Sequence, residues 1–176
     1  MKNFSVNVDG KEYWISRSIA VAVFVFRKIG NKMQVLVEKR GTGVDNSGKL
    51  CVPCGYLDYD ETAEQAAVRE VLEETGFKIE QEELILSNVN SSPKENRQNV
   101  SIHYFYFAGE DEDFDLEKAV GGEENEIESV QWLDVARYQE NDNNLTIIYD
   151  FSKSDEWAFE HDERCFDYLA KYFFHY

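Results

Sequence analysis

The chain has 176 residues, 43% apolar and 14% aromatic, with a formal charge of −17 at pH 7. That length suits one domain able to bury roughly two thirds of its unfolded surface, so the charge belongs to the surface of a packed globule and not to a disordered chain. A field of this sign repels phosphates and excludes nonspecific nucleic-acid binding; an anionic small molecule would need divalent cations as helpers, because bound metal ions invert local electrostatics.

The predicted elements follow in chain order. FSVNVDGKEYWIS carries two alternating runs around Asp9-Gly10, a hairpin signal, so residues 1–16 are expected to form an N-terminal β-hairpin. SRSIAVAVFVFRK (16–28) reads as a largely buried strand. After a turn at Gly30-Asn31, MQVLVEKR is a second strand with Val35 and Val37 on one face and Leu36 on the other. GTGVDNSGK is a polar loop, and LCVPCGYLD is a short strand entering a turn. A helix is predicted over about 62–75, with Thr62 and Gln65 in a capping-box pattern and Gly76 as its stop. LILSNVN and QNVSIHYFYFAG, separated by SSPKENR, read as paired strands, and EDEDFDLEKAVGGEENE as an acidic loop. IESVQWLDV is expected to be a last strand running into a short helix. Trp157, Phe159, Phe166, Leu169 and Phe173 stand near helical spacing, so a C-terminal helix over 154–174 is expected to pack on the body. Strands interleaved with two main helices predict an α/β fold, a mixed sheet sandwiched between helices in a single domain over 1–176.

No apolar h-region opens the chain, and no run of about 18 apolar residues occurs, so neither a signal peptide nor a membrane span is expected. Three cysteines, an odd number, fit a reducing cytoplasmic setting better than a disulfide framework.

One stretch breaks local rules. In REVLEETGF, Glu70, Glu73 and Glu74 gather at the negative pole of the predicted helix, where cations are favoured. At spacings of three and four, Glu70 repels Glu73 and Glu74 by roughly 0.2–0.5 kcal/mol per pair. Such violations concentrate at functional sites. At about 100° per residue the three acids share a face with Ala63, Ala66 and Ala67, whose small side chains leave room for a ligand, while Val68, Val71, Leu72 and Thr75 are expected on the opposite side. Clustered carboxylates suit hard cations such as Mg²⁺; the plain alternative is a solvated acidic face.

The wider pattern decides between them. Gly55, five residues, Glu61, seven residues, Arg69-Glu70-Val71, one residue, Glu73-Glu74, one residue and Gly76-Phe77 fill every defining position of a 23-residue signature. From average residue frequencies, such a match arises by chance on the order of once in ten million chains of this length. The chain thereby resembles the Nudix hydrolase family, with Gly55 to Phe77 (55–77) as its Nudix box.

The resemblance implies an α/β/α sandwich and cleavage of the phosphoanhydride of a nucleoside diphosphate linked to another group, with ADP-ribose or a nucleotide sugar ahead of nucleoside triphosphates. It also implies Mg²⁺ as cofactor, with Mn²⁺ as a substitute, held by Glu70, Glu73 and Glu74. Arg69 would orient those carboxylates and Glu61 would support the site. The carbonyl of Cys54, the residue before the box glycine, and a later acid would complete the metal ligands; Glu126, six residues before Trp132, is the choice, with Glu123 and Glu124 as rivals. Water would attack in line, with Glu70 the first candidate for its base. Arg40, at the end of MQVLVEKR, corresponds to a basic residue that touches substrate phosphate, and Tyr56, Tyr59 or Tyr13 offers a ring for stacking. WAFEH (157–161) is similar to an Ala-Phe-Asp-His stretch in the C-terminal helix of some relatives acting on ADP-ribose-like substrates. The N-terminal hairpin serves a homodimer interface in some relatives.

Two other readings compete. A non-catalytic Nudix-fold module would sense a nucleotide without cleaving it, but such modules often lose box glutamates and none is missing here. CVPC (51–54) has the spacing of a thiol redox motif, yet it runs into the box instead of opening a helix after a strand, and a four-ligand zinc site would have only Cys165 and three scattered histidines to draw on. His103, inside an alternating strand, reads as structural.

Overall fold

A computed structural model describes residues 4–94, 98–109, 112–113, 125–141, 144–149 and 156–159. Strands β1 (Phe4–Val8) and β2 (Lys11–Ile15) form a two-stranded antiparallel ribbon. Asp9 and Gly10 both have positive φ at its tip, and Asn7 Oδ1 accepts from the Gly10 N–H, as a tight hairpin turn requires. β3 (Ser18–Ile29) and β4 (Lys32–Arg40) follow, joined at Gly30. After two short strands, β5 (Leu50–Cys51) and β6 (Cys54–Tyr56), come helix α1 (Ala63–Thr75), a 3-10 turn at Gln81–Glu83, β7 (Ile85–Asn90), β8 (Asn99–Ala108), β9 (Ile127–Asn141) and β10 (Asn144–Tyr149).

The main sheet runs β10-β9-β4-β3-β8-β7. It is mixed, because β3 and β8 are parallel while the other pairs are antiparallel. β3 is apolar from Val21 to Phe26, the pattern of a strand covered on both faces. Its alternation divides the core. Ala22, Phe24 and Phe26 pack with Val35, Val37, Phe105 and Trp157 on one face. Val21, Val23 and Val25 pack with Leu36, Tyr104 and Tyr106 beneath Ala66, Ala67 and Val71 of α1 on the other. Each of the valine, leucine and phenylalanine side chains contributes roughly 1.5–3 kcal/mol by leaving water.

β3 and β4 pair directly only from Phe26↔Val35 to Ile29↔Lys32 and then separate. The chain from Leu50 to Tyr56 fills that gap, β5 pairing β4 and β6 pairing β3. The loop entering α1 is thus held between the two central strands.

α1 begins as its sequence predicts. Thr62 Oγ1 accepts from the Gln65 N–H, Gln65 Oε1 accepts from the Thr62 N–H, and Gly76 closes the helix in the left-handed region with its N–H on Leu72 O. Thr62→Ala is expected to destabilise the fold by about 1 kcal/mol, read as a lower urea midpoint; an unchanged midpoint would refute the cap's contribution.

Two expectations need correction. No short helix follows IESVQWLDV: β9 continues to Asn141, because its backbone pairs with β4 on one side and with β10 on the other. Nor do the acids stand opposite Val71 and Thr75. Ala66, Ala67, Glu70, Val71, Glu74 and Thr75 are all buried on one face of α1, so Ala66 and Ala67 seat the helix on the sheet. Glu70 and Glu74 are carried inward with them. The expected C-terminal helix lies outside the described residues, apart from 156–159, where Trp157 bridges to Leu50 and enters the first core. No described helix is long and apolar enough to cross a membrane.

Candidate active site

The site is built where the β5–β6 wedge, the N-terminal loop of α1 and the ends of β4 and β9 meet. Arg69 is its hub. Its Nε and Nη2 donate to Glu61 at 3.1 and 2.6 Å, its Nη1 to Glu70 Oε1 at 2.8 Å and Glu73 Oε2 at 3.2 Å, and its Nη2 also to Tyr56 O at 3.0 Å. One guanidinium therefore holds three predicted site carboxylates and the backbone of the entering loop, which its planar fork of five donors allows. Glu61 Oε1 accepts from the Asp58 N–H, tying that loop to itself. Arg69 in turn holds the Glu61 carboxyl below its ordinary range.

Glu70 and Glu74 differ from Glu61. Burial pushes the Glu70 carboxyl up, against the pull of Arg69. Glu74 is pushed well up by burial and then by the charges of Glu38, Cys54 and Glu70; its Oε2 accepts from the Cys54 N–H at 2.9 Å. Gly55 lies against Glu70: a Cβ there would collide with that carboxylate, whose Oε2 would stand 2.6 Å away and Oε1 nearer still. The box glycine is thus a cradle for the glutamate and is not demanded by a left-handed backbone.

Sequence reasoning missed Glu38. It is 1% exposed, and burial pushes its carboxyl up to about 7, relieved in part by hydrogen bonds with Cys51 and Glu74. The Cys51 thiol donates to its Oε1 at 3.0 Å. Contact with Cys54 and burial keep that thiol protonated; neither Cys51 nor Cys54 is in a disulfide, and Cys51 lies deep in the wall of the acidic cluster. The signal for Glu38 was its period: it follows Leu36 on a strand whose alternate positions are core.

Glu126 joins the cluster. Arg40 pairs with Ile127 across β4 and β9, and the Gly41 N–H donates to Glu126 O at 2.6 Å, which brings the Glu126 charge to bear on both Glu38 and Glu70. Glu123 and Glu124 lie outside the described residues. Arg40 is half-buried, its Nε donating to Asp45 O at 2.8 Å and its guanidinium over the Phe159 ring. Tyr56 presents an exposed ring whose hydroxyl pairs with the Asn99 amide. Tyr59 is exposed away from these contacts, Tyr13 lies on the hairpin under Lys11, and His103 is buried against Phe24.

The donor chemistry fits a hard divalent cation: oxygen ligands, surplus buried negative charge and a glycine that leaves Glu70 its place. Among the described residues no three acidic, cysteine or histidine side chains already converge at ligand spacing. The carboxylates are turned instead toward Arg69 and the Cys54 amide.

The surplus charge has a pH consequence. Glu38 binds its proton more tightly in the folded chain than in the unfolded one, so in chelating buffer its stabilising proton is present near pH 5 and lost as pH rises through about 7. Between pH 5.5 and 8 the loss is on the order of 2 kcal/mol. Urea midpoints at pH 5.5 and 8 check it, the higher midpoint being expected at pH 5.5.

The NUDIX domain family model matches residues 17–151. The chain belongs to that family. Its fold is similar to that of a MutT/Nudix family protein from Enterococcus faecalis, at 20% identity and a TM-score of 0.68, covering 90% of this chain and 63% of that one. The chain therefore spans slightly less than two thirds of that relative's length. It is also similar to a Nudix hydrolase from Nitrosomonas europaea (17%, TM-score 0.59, 89% and 90% covered). A third likeness is to a bifunctional NMN adenylyltransferase/ADP ribose pyrophosphatase from Francisella tularensis, in complex with AMP and a manganese ion (17%, TM-score 0.60, 89% and 42%). At these identities the likeness establishes the Nudix-type α/β/α sandwich with its mixed sheet.

Proposed function

We propose that the chain is a Mg²⁺-dependent Nudix pyrophosphohydrolase that cleaves the phosphoanhydride of a nucleoside diphosphate derivative, with ADP-ribose or a nucleotide sugar ahead of nucleoside triphosphates. The observation that carries this reading is the set of box carboxylates held around Arg69 with more buried negative charge than Arg69 neutralises. The Francisella relative, a protein that includes an ADP ribose pyrophosphatase and holds AMP with manganese, supports the substrate class and the cation.

In this reading Glu70, Glu73 and Glu74, with Glu126 and the Cys54 carbonyl, would hold the cation, and a bound Mg²⁺, or Mn²⁺ in its place, would supply positive charge against the diphosphate and lower the pKa of water. Arg69 keeps Glu70 and Glu73 oriented, and Glu61 fixes Arg69. Glu70 takes the proton of the attacking water, a role suited to a carboxyl that burial has made more basic. Arg40 meets a phosphate with its bidentate fork, and the exposed Tyr56 ring offers a stacking face. The exposed apolar ribbon of β1 and β2 is the proposed homodimer contact.

The test is a phosphate-product screen of ADP-ribose, nucleotide sugars, dinucleotides and triphosphates with Mg²⁺ or Mn²⁺. Conversion of ADP-ribose or a nucleotide sugar to two monophosphates is expected. Ligand-induced thermal stabilisation without any turnover would instead select the non-catalytic sensing module.

A further inference from the structure

β4 sets Leu36 and Glu38 two residues apart, on the side of the sheet that α1 covers. Leu36 packs with Ala66, Ala67 and Val71. Glu38, one step further along the strand, comes within hydrogen-bonding reach of the Glu74 carboxyl in the last turn of α1. Both are almost wholly buried, at 1% and 5% exposure.

Among the described residues, neither acid has a basic side chain in ion-pair contact. The ion pairs of Arg69 go to Glu61, Glu70 and Glu73. Arg40 acts on Glu38 only through its charge, from beyond the Cys51 sulfur, to which its Nη1 stands at 3.8 Å. Glu38 Oε1 accepts from the Cys51 thiol, and Oε2 is a buried oxygen with no settled hydrogen-bond donor. Two buried carboxyls meeting this way are tolerable only with something positive between them, because an unpaired buried charge is strongly destabilising. With the Glu70 and Glu126 charges also near, a doubly charged ion meets the need of the whole cluster.

We propose that Glu38 is a further cation-site carboxylate, holding a divalent ion jointly with Glu74 at the inner end of the acidic cluster, between β4 and the last turn of α1. It lies outside the box and on a different element, so the ion it shares ties the sheet to the box helix. Ions bound by the box alone would have no such tie. The inference rests on the cation-dependent reading above. It adds a carboxylate-lined seat for a hard divalent cation such as Mg²⁺ or Mn²⁺, whose preference is for oxygen ligands.

The experiment is Mn²⁺ titration followed by electron paramagnetic resonance on the full chain, with the wild type, Glu38→Gln and Glu38→Met compared. Metal-free melting temperatures are recorded in chelator. Both variants are near-isosteric and remove a buried charge, so their metal-free melting temperatures are expected to equal or exceed the wild-type value. Mn²⁺ binding is expected to weaken at least tenfold or to lose one ion per chain, and with it the Mn²⁺-induced rise in melting temperature. Wild-type affinity and stoichiometry in either folded variant would overturn the role of Glu38 while leaving the box site standing. A wild-type chain that binds no Mn²⁺ up to millimolar concentration would overturn the cation-dependent reading itself, and the Glu38 role with it.

Discussion

Glu73→Gln is expected to lower turnover on the order of 10²–10³-fold, the scale on which one electrostatic contact to the reacting centre acts, and to leave the fold intact. The two effects separate because of where Glu73 sits. Its side chain is 38% exposed, and its contact with Arg69 Nη1 is the longer of the two that nitrogen makes to carboxylates. An ion pair of that kind contributes little to stability. Removing the charge also relieves the repulsion from Glu70 three residues earlier, worth a few tenths of a kcal/mol. The melting temperature in chelator should therefore stay level or rise slightly. Glu82→Gln, in the exposed 3-10 turn, serves as a control for generic loss of negative charge. Rates are measured with Mg²⁺ on whichever substrate the screen identifies. A Glu73→Gln enzyme as fast as the wild type would remove Glu73 from the ligand set.

What the sequence disclosed and what it withheld follow from how local each feature is. The helix start was legible because Thr62 and Gln65 satisfy each other within one turn, and its end because Gly76 alone fits the left-handed stop. The N-terminal ribbon was legible for the same reason, both residues of its turn having positive φ. The direction of the box acids was not. Ala63, Ala66 and Ala67 are too weakly apolar to declare a core face, and Thr75 is polar, yet it is buried with its Oγ1 donating to Val71 O. A helical wheel centred on the acids therefore set them opposite Val71 and Thr75, while packing on β3 carries Glu70 and Glu74 inward together with those residues.

The same locality explains β9 and the two acids outside the box. The extension of β9 past Val135 depends on backbone pairing with Lys32 and Met33 and, on its other edge, with β10, which no short window reveals. Glu126 was a choice among several carboxylates, and its place beside Gly41 comes from the β4–β9 register, which is equally non-local; its rivals Glu123 and Glu124 lie outside the described residues. Glu38 looked like one polar residue at the end of an apolar strand. Only the covering of β4 by α1 turns it from a surface charge into a buried partner of Glu74.

Gly55→Ala is expected to reduce cation affinity and turnover by about 10–100-fold, the usual scale for disturbing a group that orients a ligand, at a stability cost of about 1 kcal/mol or less. The backbone at Gly55 is not in the left-handed region, so alanine meets no conformational penalty there. Its methyl would meet the Glu70 carboxylate, the far end of a side chain able to swing away. Swinging costs the Arg69 Nη1 contact to Glu70 Oε1 at 2.8 Å and moves an oxygen proposed above to hold the cation. The damage thus falls on function more than on folding. Glu70→Asp shortens the carboxylate's reach by one methylene and should be deleterious alone, yet in a Gly55→Ala background it returns the space the methyl takes. The double variant should therefore lose less than the product of the two single losses, a coupling expected of groups in direct contact. Losses in kcat/KM that simply multiply, with Mn²⁺ affinity following the same rule, would show that Gly55 acts on the entering loop and not on Glu70.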